Sequence, residues 1–476
     1  MTTRHVLAAI FIVAGMVAMV PTMVEASPGV RLTNCSAAPA RPLSSSDGHH
    51  LGIIYPRAVG SCVGSVRAVA NDNESLYGSK KPQLKINGGE VMGTSAQPGA
   101  VTLIPVTWVP KSSSMASDYQ AGFASFDAAV AADSAKPTNV FAIGTQYTDA
   151  RGRRLLNQFT AAEPIVDSAA YPTARLSGGC TVDTGPVYGD GTGYTACLTD
   201  VQISTELSRL ATTAGLAQDR SHLFSMILPR GVEVCFGQRN TAHGGSCTLS
   251  QATTSVSSGF CAYHSTGTGV SAPTGLTYTV IPFGIWNSPL EYSCEGPAEY
   301  PSGNSALDIA LSTYSHEVAE AITDPTGNGW HDVYGNENGD LCNSAYGTVI
   351  SPGGQGYNQV IGSGHYLLQL EFSNAAWSRD RTTGCQARWN PPAVSLVASG
   401  PAVVHKKVTF TAAATSASAK VAGYAWSVDG RSQSGSAKAS VTFDTVGIHT
   451  VTVTVTDTAG WSTTSPLTVV VSLRRP

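Results

Sequence analysis

Residues 304–325 read Asn304-Ser305-Ala306-Leu307-Asp308-Ile309-Ala310-Leu311-Ser312-Thr313-Tyr314-Ser315-His316-Glu317-Val318-Ala319-Glu320-Ala321-Ile322-Thr323-Asp324-Pro325. Leu307, Leu311, Tyr314, Val318 and Ile322 recur every three or four residues, which makes one apolar stripe on an α-helix. Ser305 with Asp308 predicts a capping box at its start. Pro325 predicts its end, because the residue before a proline is disfavoured in the α region. His316 and Glu320 are four apart, so they stand one above the other on a single face, roughly 5–6 Å apart at Cβ. They can reach one cation together.

A histidine followed at once by a glutamate, with a second glutamate one turn on, is an HExxE pattern. In HExxH zinc peptidases the first glutamate accepts a proton from metal-bound water, which makes Glu317 the candidate general base and His316 and Glu320 candidate ligands. A further ligand has to come from elsewhere. The segment after the helix offers Glu337 and Asp340 as first choices, with Asp324, His331 and Asp332 in reserve. Zinc is the expected ion, although one imidazole with two carboxylates cancels its charge and acidifies bound water less than a histidine-rich set. Carboxylate-rich sets also suit Ca or Mn. The competing expectation is a pair of solvated glutamates and a histidine bonded to backbone. Against it, three ionisable residues within five positions of an apolar helix need partners if that face is buried.

Only 13% of the 476 residues are charged, the net charge is −4 and no basic run occurs, so the footprint of a nucleic-acid binder is missing. Arg4, an apolar stretch from Val6 to Val20 and then Val24-Glu25-Ala26 predict a secretory signal peptide over residues 1–26. No later stretch approaches the about 20 apolar residues of a transmembrane segment. All ten cysteines follow the signal peptide. An even count in an exported chain predicts disulfides, and the lack of any CxxC pair makes thiolate zinc the weaker expectation. Spacing leaves the connectivity open; a Cys342–Cys385 pair would close the end of the main domain.

Residues 27–85 mix Ser, Ala, Gly and Pro without periodicity and read as a loosely ordered leader or propeptide-like region. A main domain is expected over 86–388. Its β-branched and apolar runs at 101–109, 140–143, 223–228 and 278–283 predict strands. Helical spacing predicts helices at 118–132 and after Thr199 or Asp200, where Val201, Ile203, Leu207 and Leu210 share a face. Between Cys235 and Cys261 lies a Gly/Ser/Thr-rich stretch that would gain from disulfide closure. The expected class is α+β: a disulfide-containing mixed α/β main domain with a zincin-like helix, followed by an all-β sandwich at 389–476.

In that last segment cysteine disappears and alternation takes over, as in Val408/Phe410 and Val451/Val453/Val455. Tyr424-Ala425-Trp426-Ser427-Val428-Asp429-Gly430, then 443–451 and Asp457-Thr458-Ala459-Gly460, resemble a PKD domain, which implies an immunoglobulin-like sandwich. The turn at Ser427-Val428-Asp429-Gly430 departs from the fuller Asp-Phe-Gly-Asp-Gly usual there. Such modules serve exported enzymes as spacers or as carbohydrate- or protein-binding appendages.

Upstream, His316 to Pro325, Gly329-Trp330, Glu337-Asn338-Gly339-Asp340-Leu341-Cys342, Tyr357-Asn358, His365-Tyr366-Leu367-Leu368-Gln369 and Cys385 resemble the C-terminal half of EXORDIUM-like (phosphate-induced) proteins. Asn87-Gly88-Gly89-Glu90-Val91-Met92 and Gly259-Phe260-Cys261-Ala262-Tyr263-His264 extend the resemblance over residues 85–386. It implies export to the cell wall or medium without supplying an activity. Two functions are thus expected to compete: a secreted metal-dependent, peptidase-like hydrolase, and a non-catalytic extracellular or cell-wall binding protein with a vestigial metal site. In either, the partner is an extracellular protein or polysaccharide. A serine hydrolase is the poorer fit, since no Gly-x-Ser-x-Gly elbow stands beside a convincing strand.

Overall fold

The computed structural model describes residues 52–54, 57–58, 83–94, 99–172, 179–183, 185–236, 247–249, 259–269, 272–285, 292–294, 296, 299–380 and 384–473. The expected signal peptide and most of the leader lie outside them. The main body is built on strands β1 (Gly52–Ile54), β2 (Val101–Trp108), β3 (Phe159–Ala161), β4 (Ile165–Asp167), β5 (His222–Ile227), β6 (Ala262–Thr266) and β7 (Thr277–Ile281). They form one seven-stranded sheet in the order β1-β6-β7-β5-β2-β3, with β4 also on β2. The contacts from β7 through β5 to β2, β3 and β4 are parallel, and those of β6 with β1 and β7 are antiparallel.

Parallel strands at the centre of a sheet are covered on both faces, which explains why β2 reads as a continuous apolar run. Leu103, Leu223, Ile227 and Ile281 face helices α1 (Ser117–Ala132) and α3 (Ser305–Thr323), packing with Phe123, Phe126, Leu311, Tyr314 and Val318. Their sequence neighbours Ile104, Phe224, Met226 and Val280, with Val106, face the other way, onto Ile203 and Leu207 of α2 (Asp200–Thr213). Each large side chain so buried contributes about 1.5–3 kcal/mol. The mixed α/β expectation is met, with helices on both faces of the sheet.

Three local expectations are corrected. The capping box at Ser305 is absent; Asn304 is the N-cap, its side chain accepting from Leu307 N at 3.2 Å, while Asp308 accepts from Ser302 N and Oγ at 3.0 and 2.7 Å. Residues 140–143 are not a strand but open a 3-10 helix, Val140–Gln146, begun by the Asn139 side chain, which accepts from Phe141 N. A short apolar run does not reveal its own period, and here the cap decides. Third, the leader is not wholly irregular: β1 pairs with β6, Gly52 standing opposite His264, and Arg57–Ala58 pairs with Tyr292–Ser293.

Among the described residues the disulfides are Cys180–Cys197, Cys235–Cys247, Cys261–Cys294 and Cys342–Cys385. The last is the pair expected to close the main domain. No helix among these residues is long and apolar enough to cross a membrane.

The C-terminal sandwich has strands β8 (Ala393–Ala398), β9 (Ala402–Val403), β10 (Lys407–Thr415), β11 (Val421–Val428), β12 (Arg431–Gln433), β13 (Lys438–Thr442), β14 (Gly447–Asp457) and β15 (Ser462–Ser472). They divide into sheets β8-β10-β13 and β9-β15-β14-β11-β12. Phe410, Trp426, Val441, Val451, Val453 and Val455 fill the space between. The departing turn is a two-residue hairpin with Asp429 and Gly430 both at positive φ, 47° and 79°, the conformation that Asp-Gly suits.

The sandwich is docked on the main body. Trp389 and Ala459 pack with Ala142 and Ile143 of the 3-10 helix, Trp461 Nε1 donates to Thr145 Oγ1 at 2.8 Å, and an Arg154 guanidinium nitrogen donates to Thr458 O at 2.8 Å.

Candidate metal centre

Helix α3 is buried along its length, because the sheet covers one side and the segments around Gly339 and Gln369 cover the other. His316, Glu317 and Glu320 have no exposure at all. This answers the expectation that the glutamates are solvated. Six carboxylates gather there, from Glu317, Glu320, Asp324, Glu337, Asp340 and Glu371, all but Asp340 at most 5% exposed.

On one side of Glu320, its Oε1 lies 2.9 Å from His316 Nε2 and accepts from Asp340 N at 2.9 Å; Asp340 Oδ1 is 3.9 Å from His316 Nε2. These three residues form one group with the reach to hold a metal ion. A close approach makes this possible: a Cβ on Gly339 would stand 2.8 Å from the His316 ring. The Gln369 amide nitrogen donates to Gly339 O at 2.7 Å and to His316 Nδ1 at 2.8 Å, and Gln369 Oε1 accepts from Ser344 N at 3.2 Å. That arrangement puts the ring hydrogen of a neutral His316 on Nε2, toward Glu320. A cation at Nε2 takes that hydrogen's place and requires Gln369 to turn its oxygen to Nδ1.

On the other side of Glu320 stands His264, which sequence reasoning noticed only as part of a resemblance. Strand alternation sends His264 to the same face of β6 as Ala262, toward α3. Its Nδ1 is 3.1 Å from Glu317 Oε2 and 3.7 Å from Glu320 Oε2, and these three form a second group of metal-binding reach. His264 Nε2 donates to Asp324 O at 3.2 Å and lies 3.7 Å from Glu337 Oε2.

The remaining candidates separate. Glu337 joins the cluster on the His264 side rather than beside His316. Asp324 ends α3, its Oδ1 accepting from Gly329 N at 2.6 Å. His331 and Asp332 lie outside both groups: His331 Nδ1 donates to Asp332 O, and the Asp332 carboxylate orders a turn by accepting from Tyr334 N and Asn336 N. Glu371, which no motif singled out, enters from a short ribbon next to the Cys342–Cys385 disulfide and accepts from Asn338 Nδ2 at 2.8 Å.

Burial pushes Glu320 up to about 7 and Asp340 up to about 8, with the neighbouring Glu320 charge adding to the second. Desolvation, then repulsion from Glu320 and its neighbours, drives Glu337 and Glu371 well above the carboxylate range. Desolvation holds His316 below the usual imidazole value. Among the described residues no lysine or arginine forms an ion pair with Glu320, Glu337, Asp340 or Glu371. Glu320 Oε2, Glu337 Oε1 and Glu371 Oε1 are buried without a hydrogen-bond partner. Buried carboxyl oxygens left over beside imidazoles are groups that could hold a metal ion.

The comparisons with known proteins bear on the C-terminal part. Residues 389–471 match the PKD domain family. No curated protein matches the chain. Among solved structures, the PKD1 domain of Vibrio anguillarum Epp is 22% identical, covering 18% of this chain and 100% of its own, with a TM-score of 0.17. The PKD1 domain of the Vibrio cholerae metalloprotease PrtV is 22% identical over 17% of this chain and 98% of its own, TM-score 0.16. The Bacteroides ovatus mixed-linkage glucan protein SGBP-B is 13% identical over 18% of this chain and 25% of its own, TM-score 0.15. None of these findings supports the EXORDIUM-like resemblance of residues 85–386, which rests on its motifs alone. The family match and the two-sheet strand order together make residues 389–471 a PKD domain.

Proposed function

We propose that this chain is a secreted metalloprotein in which a main domain, residues 86–388, is a metal-dependent hydrolase of the peptidase-like class, and the PKD domain a docked appendage for extracellular protein or polysaccharide. The observation that carries the reading is the set of buried carboxylates around α3, with oxygens left unpartnered and two imidazoles among them. Export is supported by the disulfides and by the PKD domain. His316, Glu320 and Asp340 are the proposed ligands, Glu317 the proposed base, and zinc the proposed ion, with manganese or calcium as harder alternatives. A bound divalent cation supplies Lewis-acid activation of water and of a substrate carbonyl. The protein's part is to fix Glu320 through the Asp340 amide and His316 through Gln369.

One observation favours the second reading, a binding protein with a structural cation. Glu317 has no exposure and already meets His264. The test uses the purified full chain, with zinc measured by elemental analysis and casein hydrolysis followed before and after chelation. Stoichiometric metal with hydrolysis lost to the chelator and restored by zinc supports the hydrolase. Stoichiometric metal with no hydrolysis of casein or wall-type polymers leaves the structural-cation reading, and no metal at all removes both.

A further inference from the structure

We propose a second cation site made by His264 Nδ1, Glu317 Oε2 and Glu320 Oε2, so that Glu320 bridges two ions, one on each side of the helix. The proposal rests on the metal reading above and recasts Glu317 as a ligand.

Three features carry it. First, the two oxygens of Glu320 serve different partners: Oε1 faces His316 Nε2 at 2.9 Å, and Oε2 faces His264 Nδ1 at 3.7 Å. Ligands of a single ion, each about 2.0–2.2 Å from it, lie at most about 4.4 Å from one another. The imidazoles fall in separate groups of three, joined only through Glu320. Second, Glu320 Oε2 is fully buried and has no hydrogen-bond partner, so the bridging oxygen is the one in want of a charge. Third, the tautomers differ. A cation at His264 Nδ1, between the two glutamates, would leave the hydrogen of the neutral ring on Nε2, where the Asp324 carbonyl at 3.2 Å is in place to accept it. A ligating histidine whose other ring nitrogen donates to a backbone carbonyl is the usual outer-shell arrangement of metal sites. His316 has the reverse arrangement, its Nδ1 accepting from Gln369. The His264 side is therefore the better prepared of the two.

The donor set of one neutral imidazole and two carboxylates, one of them shared with the ion at His316, suits zinc or manganese. Two ions sharing a carboxylate would stand about 3.5–4 Å apart, the separation of two-metal hydrolytic centres.

The experiment loads the full chain with zinc after chelation and measures zinc per chain in wild type, His264→Asn, His316→Asn and Glu317→Gln. Melting curves of the chelated forms identify variants that fold. Two zinc ions in wild type, falling to one in His264→Asn and in Glu317→Gln, is the expected result. Unchanged zinc in a folded His264→Asn overturns the second site while leaving the His316 reading intact. Loss in His264→Asn with none in His316→Asn keeps this site and removes the other. Should the variants fail to fold, anomalous scattering from a zinc-loaded wild-type crystal decides: a peak within about 2.5 Å of His264 Nδ1 supports the site. A peak beside His316 alone, or none, ends it.

Discussion

Asp457 of the sandwich and Glu320 of the main body are both buried acids, and their surroundings are opposite. Asp457 accepts from Trp389 Nε1 at 2.8 Å, Ala459 N at 2.9 Å and Trp461 N at 3.0 Å, so N–H groups answer its charge and it orders the sandwich residues that face the main body. Glu320 receives backbone N–H on one oxygen only, and its other oxygen faces further carboxylates and an imidazole. A buried acid met by donors is part of the architecture. One left partly unmet among its own kind asks for a cation.

The largest expected effect tests the first half of that contrast. Asp457→Ala strands three donors inside the sandwich, next to its contact with the main body, and should cost about 3 kcal/mol or more, read by chemical denaturation, with zinc content unchanged. A loss below about 1 kcal/mol would mean that these donors tolerate an empty acceptor. Chelation tests the second half. A ligand at a hundred times its Kd stabilises by about 2.7 kcal/mol, so metal removal should lower the main-body melting temperature by about 5–10 °C in calorimetry and spare a PKD-core transition.

The pH dependence of the chelated protein follows from the raised carboxyls. Glu320 and Asp340 rise from 4.5 and 3.8 to about 7 and about 8 on folding. The folded state therefore holds protons that the unfolded state has released. That stability is fully present in acid and is lost as pH climbs from about 4 through about 8. The metal-loaded protein should be flatter over the same window, since the cation answers the charge instead; equal slopes would contradict a metal at these groups. Gly339→Ala sharpens the comparison at one atom. Its methyl meets the His316 ring, predicting about 1–3 kcal/mol of destabilisation and lowered zinc content. Smallest is Trp461→Phe, which gives up the bond to Thr145 and should cost about 1 kcal/mol by denaturation, again with zinc unaffected.

Legibility in the sequence followed the same division. The β10 and β14 alternation has a period that burial on one face enforces, and the α3 stripe marks its helix although that helix is buried all round; all three elements lie where the pattern puts them. His316 and Glu320 could be paired in advance by helical spacing, while Asp340 stood beside Glu337 as one of two first choices from the segment after the helix, and only the fold puts it in the His316 group. His264 could not, since 53 residues separate it from Glu317 and only the β6 register against the helix joins them. Glu371 was invisible for the same reason, its position following from a ribbon and a disulfide. The 3-10 segment at 140–146 deceived by composition: four apolar residues in a row suit a strand, and the Asn139 side chain turned the chain instead.

The early strand Gly52–Ile54 occupies the open rim of the sheet and is hydrogen-bonded along the strand that carries His264. A row of backbone donors and acceptors at such a rim is a template for any extended peptide. While residues 52–54 stay in register they are the incumbent there, and a substrate or partner approaching as a strand must outcompete the protein's own N-terminal portion to reach the flank of the histidine.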